Sequence, residues 1–306
     1  MMKFRGELLV FGGAFFFATT GVLGKLIFSG GITALRLVQI RITGAFLILL
    51  LLTLIFDRKS LIVKKTEIAN LILVGIVGFA AVQSLYFFAI TRMPISITLV
   101  IEFTAPIWIA LFIRFFKHQI IRPLMWWGIL TALAGLILVL QIWDGLKFDT
   151  VGVIATFIDA LCLAFYYMRS EKLVKTTSGL SLLVYAFGSA AIFLALFLPL
   201  WEFPTEILST AIPLQEFSSH DILMGWQLIG ILIIFGTVVP YLFISYGLKY
   251  IPASQGSVIA MSEPVVAGGI AWFVLGESLT VIQLFGGLVV LFGIYLTERA
   301  RQEGHK

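Results

Sequence analysis

Long apolar segments separated by short polar ones make up almost the whole chain. Ten of the segments hold about 20 mostly apolar residues, the length that an α-helix needs to cross the hydrocarbon core of a bilayer. Their approximate ranges are 5–28, 34–56, 68–92, 95–115, 124–142, 151–170, 178–201, 224–248, 252–275 and 280–299. Turn residues or charges fill the gaps, so the pattern predicts an all-α, polytopic membrane protein with ten transmembrane helices.

The composition supports this prediction. Apolar residues make up 60% of the 306 residues and charged residues only 12%, whereas soluble domains carry about 25% charged residues. The first apolar run, Leu8–Phe28, is longer than the apolar region of a signal peptide, so we expect it to remain as a helix.

The positive charges are unevenly distributed among the predicted loops. If the N-terminus is cytoplasmic, most lysines and arginines fall on the cytoplasmic side, and only Lys25, Arg36, Arg92 and Lys147 lie near the outer face. This distribution satisfies the positive-inside rule. It predicts a multi-pass protein of the plasma membrane with both termini in the cytoplasm. The basic residues therefore concern orientation, and we expect no nucleic-acid partner.

Prolines and glycines recur along the chain at one constant offset. A shift of 158 positions (252 − 94) places Pro94 on Pro252, Ser96 on Ser254, Pro106 on Pro264, Gly128 on Gly286 and Gly135 on Gly293. We interpret this recurrence as an internal duplication. Because each half holds an odd number of predicted helices, the second half enters the membrane from the opposite side. Inverted repeats of this kind usually place the working site where the two halves meet.

The end of the second half carries a familiar series of motifs. Ser262-Glu263-Pro264 is followed by Leu275-Gly276-Glu277, Leu279-Thr280, Gln283, Gly286-Gly287 and Gly293. On these motifs the chain resembles the EamA-type permeases of the drug/metabolite transporter superfamily, with repeats at about 6–140 and 151–296. The first half departs from the pattern, since Ala105 replaces the glutamate and Phe116-Lys117-His118-Gln119 replaces the Gly-Glu turn. The resemblance implies ten helices in two inverted repeats and export of small metabolites, often amino acids.

Three carboxylates fall inside predicted helices: Glu102, Asp159 and Glu263. A charge inside a bilayer is costly, so each is a candidate for substrate binding or ion coupling. Pro106 and Pro264 are predicted to bend their helices and to act as hinges, because proline removes a helical hydrogen bond. The alternative for Glu263 is a hydrogen bond that only fixes the packing of a neighbouring helix.

Other polar and aromatic side chains in the predicted helices are further candidates for a cavity that holds an amphipathic substrate: Thr19, Thr20, Gln83, Tyr86, Trp108, Tyr166 and Tyr246. The alternative is that the aromatic residues only fill space between helices or lie at the membrane interface. Arg41, in the second predicted helix, could pair with Asp159 or Glu102, but we expect it to extend outward to the interface. The paired glycines are expected to let helices approach closely, within the bundle or in a dimer.

These features favour a secondary transporter that exports small organic metabolites by alternating access. Its expected partners are a small-molecule substrate and the lipid bilayer, with the chain as a monomer or homodimer. A lipid or polyprenyl-carrier flippase of the same fold is the alternative. An intramembrane enzyme is a remote one, because His118, His220 and His305 fall in predicted loops or the tail and Cys162 has no predicted histidine partner. We expect no catalytic residue, no metal and no cofactor.

Overall fold

The computed structural model of the chain describes residues 4–145, 149–213, 222–275 and 279–302. The predicted Gly276-Glu277 turn, His220 and His305 lie outside these ranges. The α-helices are α1 (Arg5–Phe17), α2 (Thr20–Ser29), α3 (Ala34–Phe56), α4 (Lys65–Leu73), α5 (Val82–Ile90), α6 (Ile95–Glu102), α7 (Ala105–Phe115), α8 (Pro123–Leu140), α9 (Thr150–Leu173), α10 (Gly179–Phe197), α11 (Glu206–Ser209), α12 (Gly225–Ile233), α13 (Val239–Gly247), α14 (Ala253–Ala260), α15 (Glu263–Leu275) and α16 (Val281–Gln302).

Within the described residues, 8 helical stretches are long and apolar enough to cross a membrane: Ala34–Phe56, Lys65–Ile90, Ile95–Phe115, Pro123–Leu140, Thr150–Leu173, Gly179–Phe197, Gly225–Gly247 and Val281–Gln302. The prediction of a helical, multi-pass membrane protein is therefore confirmed. The other two predicted segments, 5–28 and 252–275, each consist of two shorter helices, α1 with α2 and α14 with α15.

Departures from regular α-helix occur at matching places in the two halves. A π-helical segment, Val74–Ala81, joins α4 to α5, and another, Ile234–Val238, joins α12 to α13. Shifted by 158, the first segment covers 232–239 and includes the second. The breaks at Phe103-Thr104 and Met261-Ser262 are also 158 apart (261 − 103). The recurrence seen in the sequence thus extends to the irregular backbone.

The prolines begin helices instead of bending continuous ones. Pro106 is the second residue of α7 and Pro264 the second residue of α15, where a missing backbone N–H costs no helical hydrogen bond. Each proline thus follows a two-residue interruption of its helix, and the predicted role of the prolines as hinges stays a prediction. The first span also breaks, at Ala18-Thr19, whereas α9, the first span of the second half, runs unbroken from Thr150 to Leu173.

Helices α8 and α16 pack backbone to backbone through their glycines. A Cβ added to Gly135 would lie 2.5 Å from the Val290 nitrogen and 2.8 Å from the Gly286 oxygen, and one added to Gly128 would lie 2.9 Å from the Gly293 oxygen. Rising residue numbers in α8 meet falling numbers in α16, so the two helices are antiparallel. The small residues thus allow the close approach expected of them, and here they do so within one chain.

The long polar connection before α12 contains a short hairpin that the sequence did not predict. Strand β1 (Ala211–Pro213) pairs antiparallel with β2 (Ile222–Met224), and Ile212 lies opposite Leu223. The hairpin is anchored to the bundle, because Ile212 is buried and its side chain would contact a Cβ added to Gly30 at 3.1 Å.

Candidate substrate cavity

A cavity of about 760 Å³ lies inside the helix bundle and receives side chains from both halves of the chain. Its volume falls within the range of roughly 300–1,000 Å³ that is typical of small-molecule sites. Most of its lining is apolar. The polar, charged and tyrosine residues that line it are Thr20, Arg41, Gln83, Tyr86, Glu102, Tyr166, Tyr167, Tyr241, Glu263 and Gln283.

The cavity extends toward one end of the bundle. Ile95, Leu140, Leu279 and Gln283 line it, and they lie where α6 begins, α8 ends and α16 begins. We call this the cavity end. The other end, where α1 and α14 begin and α16 ends, is called the opposite end. The site is therefore asymmetric along the helix axes.

Two of the predicted carboxylates line the cavity beside the helix breaks. Glu102 is the last residue of α6, and Glu263 is the first residue of α15. Both side chains are half-buried, and neither has a hydrogen-bond partner within the described part of the chain. They are not repeat counterparts, because the offset of 158 relates Glu102 to Ala260 and Glu263 to Ala105. Each half therefore contributes one acid, from a different position.

Asp159 is buried beside the cavity but is not among the residues that line it. It is fully buried at 0% exposure, and neither of its carboxylate oxygens has a hydrogen-bond partner among the described residues. It lies one helical turn before Leu163, which does line the cavity, and it is close enough to Glu102 to interact electrostatically. An unpaired buried carboxylate is costly, so its position supports the earlier prediction of a functional role without testing it.

Arg41 contradicts the expectation that it would extend to the membrane interface. Arg41 is only 2% exposed, and it lines the cavity. Nε donates to Thr237 Oγ1 at 2.6 Å, Nη1 to Gln83 Oε1 at 2.9 Å and Nη2 to the Gly236 carbonyl at 2.5 Å. Neither Glu102 nor Asp159 is among these partners. A buried guanidinium is stabilised when protein acceptors replace water, and these three atoms do so.

The backbone of the second half explains why an acceptor is available to Arg41. In a regular helix the Gly236 carbonyl would accept from the residue four positions on, but that residue is Pro240, which has no N–H. The same carbonyl also accepts from Thr20 Oγ1 at 3.4 Å. Thr237 in turn donates to the Leu232 carbonyl at 3.1 Å, across the π-helical segment.

Five of the remaining predicted residues line the cavity. They are Thr20, Gln83, Tyr86, Tyr166 and Pro264.

Four predicted residues are not among those that line it. Thr19 Oγ1 donates to the Phe16 carbonyl at 2.8 Å, and Trp108 Nε1 donates to Thr104 Oγ1 at 3.1 Å. Tyr246 is 40% exposed. Pro106 is buried within α7. The roles assigned to all of these residues stay predictions.

Gly236 and Thr237, which bind Arg41, were not predicted from the sequence, and Tyr241 belongs to the same network. Gln83 Nε2 donates to Tyr241 Oη at 2.6 Å. The repeat offset could have indicated two of them, because Gln83 shifted by 158 is Tyr241 and Gly78 shifted by 158 is Gly236.

Polar contacts join the helices at the opposite end. Arg301 Nη2 lies 2.5 Å from Glu7 Oε1 and 2.9 Å from Glu298 Oε1. Gln255 donates to Glu298. These residues, which we call the α1–α14–α16 cluster, tie the start of α1 and the start of α14 to the end of α16. The backbone N–H of Ala253 also donates to Glu171 Oε2 at 2.9 Å, which joins α14 to α9.

A membrane-embedded helical bundle whose central cavity contains charged side chains from both halves is the architecture of a membrane transporter. The EamA-like transporter family model matches residues 4–141 and, a second time, residues 150–299. The chain therefore belongs to the EamA-like transporter family, and the resemblance inferred from its motifs is confirmed.

Relatives agree with this assignment. The chain is 23% identical to the threonine/homoserine exporter RhtA of Escherichia coli (strain K12), over 92% of this chain and 86% of that protein. It is 22% identical to the uncharacterized transporter YdfC of Bacillus subtilis (strain 168), over 76% of this chain and 71% of that protein. An uncharacterized transporter of Archaeoglobus fulgidus is 40% identical, but the match spans only 21% of this chain and 23% of the relative. A crystal structure of another protein, 18% identical, has the same fold, with a TM-score of 0.76 over 97% of this chain and 98% of that one.

Proposed function

We propose that this protein is a secondary transporter of the plasma membrane that exports small organic metabolites by alternating access. Ten spans form two inverted repeats, at about 6–140 and 151–296, and both termini lie in the cytoplasm. The observation that carries the proposal is the cavity itself. It receives Glu102 from one half and Glu263 from the other, and it extends toward one end only.

The helix packing favours the inverted arrangement. Gly128 meets Gly293, the counterpart of Gly135, and Gly135 meets Gly286, the counterpart of Gly128. Such an exchange of counterparts between antiparallel helices is what a two-fold axis in the membrane plane produces. When inverted repeats are related by this axis, the central cavity can open alternately to either side of the membrane.

The charge distribution of the loops supports a side for each end. With both termini in the cytoplasm, the cavity end faces outward and the α1–α14–α16 cluster lies on the cytoplasmic side. The arrangement then corresponds to an outward-facing state, and loading from the cytoplasm requires the cluster to separate. The name of RhtA, a threonine/homoserine exporter, supports export of small polar metabolites over the lipid-carrier alternative.

The proposal is tested by transport. Cells with and without the protein are compared for extracellular metabolite pools, and the compounds found are then assayed with purified protein in proteoliposomes. Glu102→Gln, Asp159→Asn and Glu263→Gln are each expected to reduce transport while the protein still folds, as judged by size-exclusion chromatography. Glu206→Gln, at an exposed residue outside the cavity, serves as the control. Unchanged transport in the triple variant would refute the role of the carboxylates.

A further inference from the structure

We infer that the cavity selects organic cations: compounds that carry a positively charged amine on an apolar body. The inference rests on the proposed transport function and adds the substrate class of the same site. It follows from three features of the lining, which are the free carboxylates, the engaged guanidinium and the aromatic walls.

The two cavity carboxylates are available to a ligand, although Glu263 also lies close enough to Arg41 to interact with it electrostatically. Glu102 and Glu263 both line the cavity, and neither has a hydrogen-bond partner within the described ranges. A half-buried carboxylate gains most from a ligand that brings positive charge and N–H donors, because charge-assisted hydrogen bonds are the strong ones. The two acids at the helix breaks are therefore the natural position for an ammonium group.

The guanidinium of Arg41 is already engaged by the protein. Each of its three nitrogens donates to a protein oxygen. Arg41, Glu102 and Glu263 are the charged residues among those that line the cavity in the described part of the chain, so the lining has a formal net charge of −1 (+1 − 2) when both acids are ionised. An anionic ligand would meet two carboxylates and an arginine that already gives three of its five N–H donors to the protein. The balance of charge disfavours it.

Aromatic side chains supply the surroundings that suit an organic cation. Six of them line the cavity: Phe17, Tyr86, Phe103, Tyr166, Tyr167 and Tyr241. The faces of aromatic rings attract cations, and the attraction strengthens when water is excluded. An apolar body on the ligand can contact the leucines and valines of the same wall. A strongly hydrated inorganic cation could not use these contacts.

A series of ligands with one shape and three charges tests the inference. Tryptamine, tryptophan and indole-3-acetate share the indole body and carry charges of about +1, 0 and −1 at pH 7. Binding of each is measured by isothermal titration calorimetry on the purified full chain in lipid nanodiscs. We expect the Kd of tryptamine to be lower than that of tryptophan by about tenfold or more, and indole-3-acetate to bind most weakly.

Variants connect the preference to the two acids. Glu102→Gln and Glu263→Gln are each expected to weaken tryptamine binding by about tenfold, with a smaller loss for tryptophan, whose carboxylate the same acids repel, and Glu206→Gln should change neither. Equal affinity for the three ligands, tighter binding of tryptophan or indole-3-acetate, or no binding of any of the three would overturn the inference. If a variant does not fold, the comparison of the three ligands on the unmodified protein still decides.

The same measurements separate this inference from the proposed function. Transport of a zwitterion or anion in proteoliposomes, without preference for cations, would preserve the transporter and refute the cation selectivity. Selective binding of tryptamine without transport of any tested compound would refute the transporter and preserve the cation site.

Discussion

Gln83 and Tyr241 occupy the same position in the two repeats, 158 positions apart in the sequence, and are hydrogen-bonded to each other at 2.6 Å. Gln83 also accepts from Arg41 at 2.9 Å. In the proposed inverted arrangement, a contact between two counterparts lies on the two-fold axis that relates the repeats. The buried polar network of the cavity is therefore built around the junction of the two halves.

Gln83→Leu should destabilise the protein more than Tyr241→Phe. The tyrosine variant removes one acceptor and is expected to cost about 1 kcal/mol, whereas the glutamine variant also removes an acceptor of a buried guanidinium and is expected to cost about 2 kcal/mol or more. Unfolding of the purified protein in detergent, followed by circular dichroism during heating and denaturant titration, measures both. The double variant gives the coupling between the two residues. Equal effects of the two single variants would mean that Gln83 does not support Arg41.

The contact between α8 and α16 predicts a sharp difference between two glycine-to-alanine substitutions. Gly135→Ala places a Cβ 2.5 Å from the backbone nitrogen of Val290, and because backbone cannot move as a side-chain tip can, we expect a loss of about 2 kcal/mol or more. Gly230→Ala, in α12, meets nothing within 4 Å and should be neutral or stabilising by up to about 1 kcal/mol, since alanine favours helix. Similar thermal stabilities of the two variants would contradict the close packing of α8 on α16.

The apolar pattern predicted the helices well, because the length and hydrophobicity that make a segment a membrane helix belong to that segment alone. The predicted range 34–56 coincides with α3, and 95–115 covers α6 and α7. The prolines indicated irregularity near residues 106 and 264. They could not fix the breaks two to three residues earlier, which depend on how each half-helix packs in the bundle.

The candidate site was less predictable, because residues distant in the sequence determine which way a side chain points and which groups it binds. Arg41 donates to Gly236 and Thr237, which are 195 and 196 positions away in the sequence. The expectation that Arg41 extends to the membrane interface considered its own helix alone, and it was therefore wrong. Thr19 and Trp108 have the polarity expected of lining residues, yet both form hydrogen bonds three or four residues back along the chain. Short-range bonds of this kind satisfy a polar side chain without a cavity.

An ion pair at the cavity end predicts a pH-dependent contribution to stability. Arg92 Nε lies 2.7 Å from Asp149 Oδ1, and the backbone N–H of Gly152 donates to the same oxygen at 2.7 Å. The hydrogen bond from Arg92, followed by that from Gly152, holds the pKa of the Asp149 carboxyl below its ordinary value of 3.8. A lowered pKa in the folded state stabilises the protein above the ordinary pKa, and this contribution disappears as the pH falls through the lowered one.

The melting temperature of Asp149→Asn should therefore lie below that of the unmodified protein at pH 7, by a small amount because the pair is exposed. The difference should shrink as the pH falls below 3.8. Arg92→Gln should have a similar effect, and the double variant should add little to either. A difference that is constant from pH 7 to pH 3 would show that the charge of Asp149 does not contribute to the stability.

The α1–α14–α16 cluster predicts how the opposite end opens. Arg301 bridges Glu7 and Glu298, so Arg301→Gln removes the charge that holds the start of α1 to the end of α16. We expect this variant to open the opposite end more often.

A single thiol reports this opening. In a Cys162→Ala background, Ser257→Cys places one thiol in α14, at a position that is only 2% exposed. Arg301→Gln should speed its reaction with a membrane-impermeant maleimide in detergent or in inside-out vesicles, because the equilibrium shifts toward the state that is open at this end. Lys249→Gln, at an exposed position, should leave the rate unchanged. Equal rates in all backgrounds would show that the cluster does not close this end, and faster labelling in right-side-out vesicles would reverse the proposed orientation.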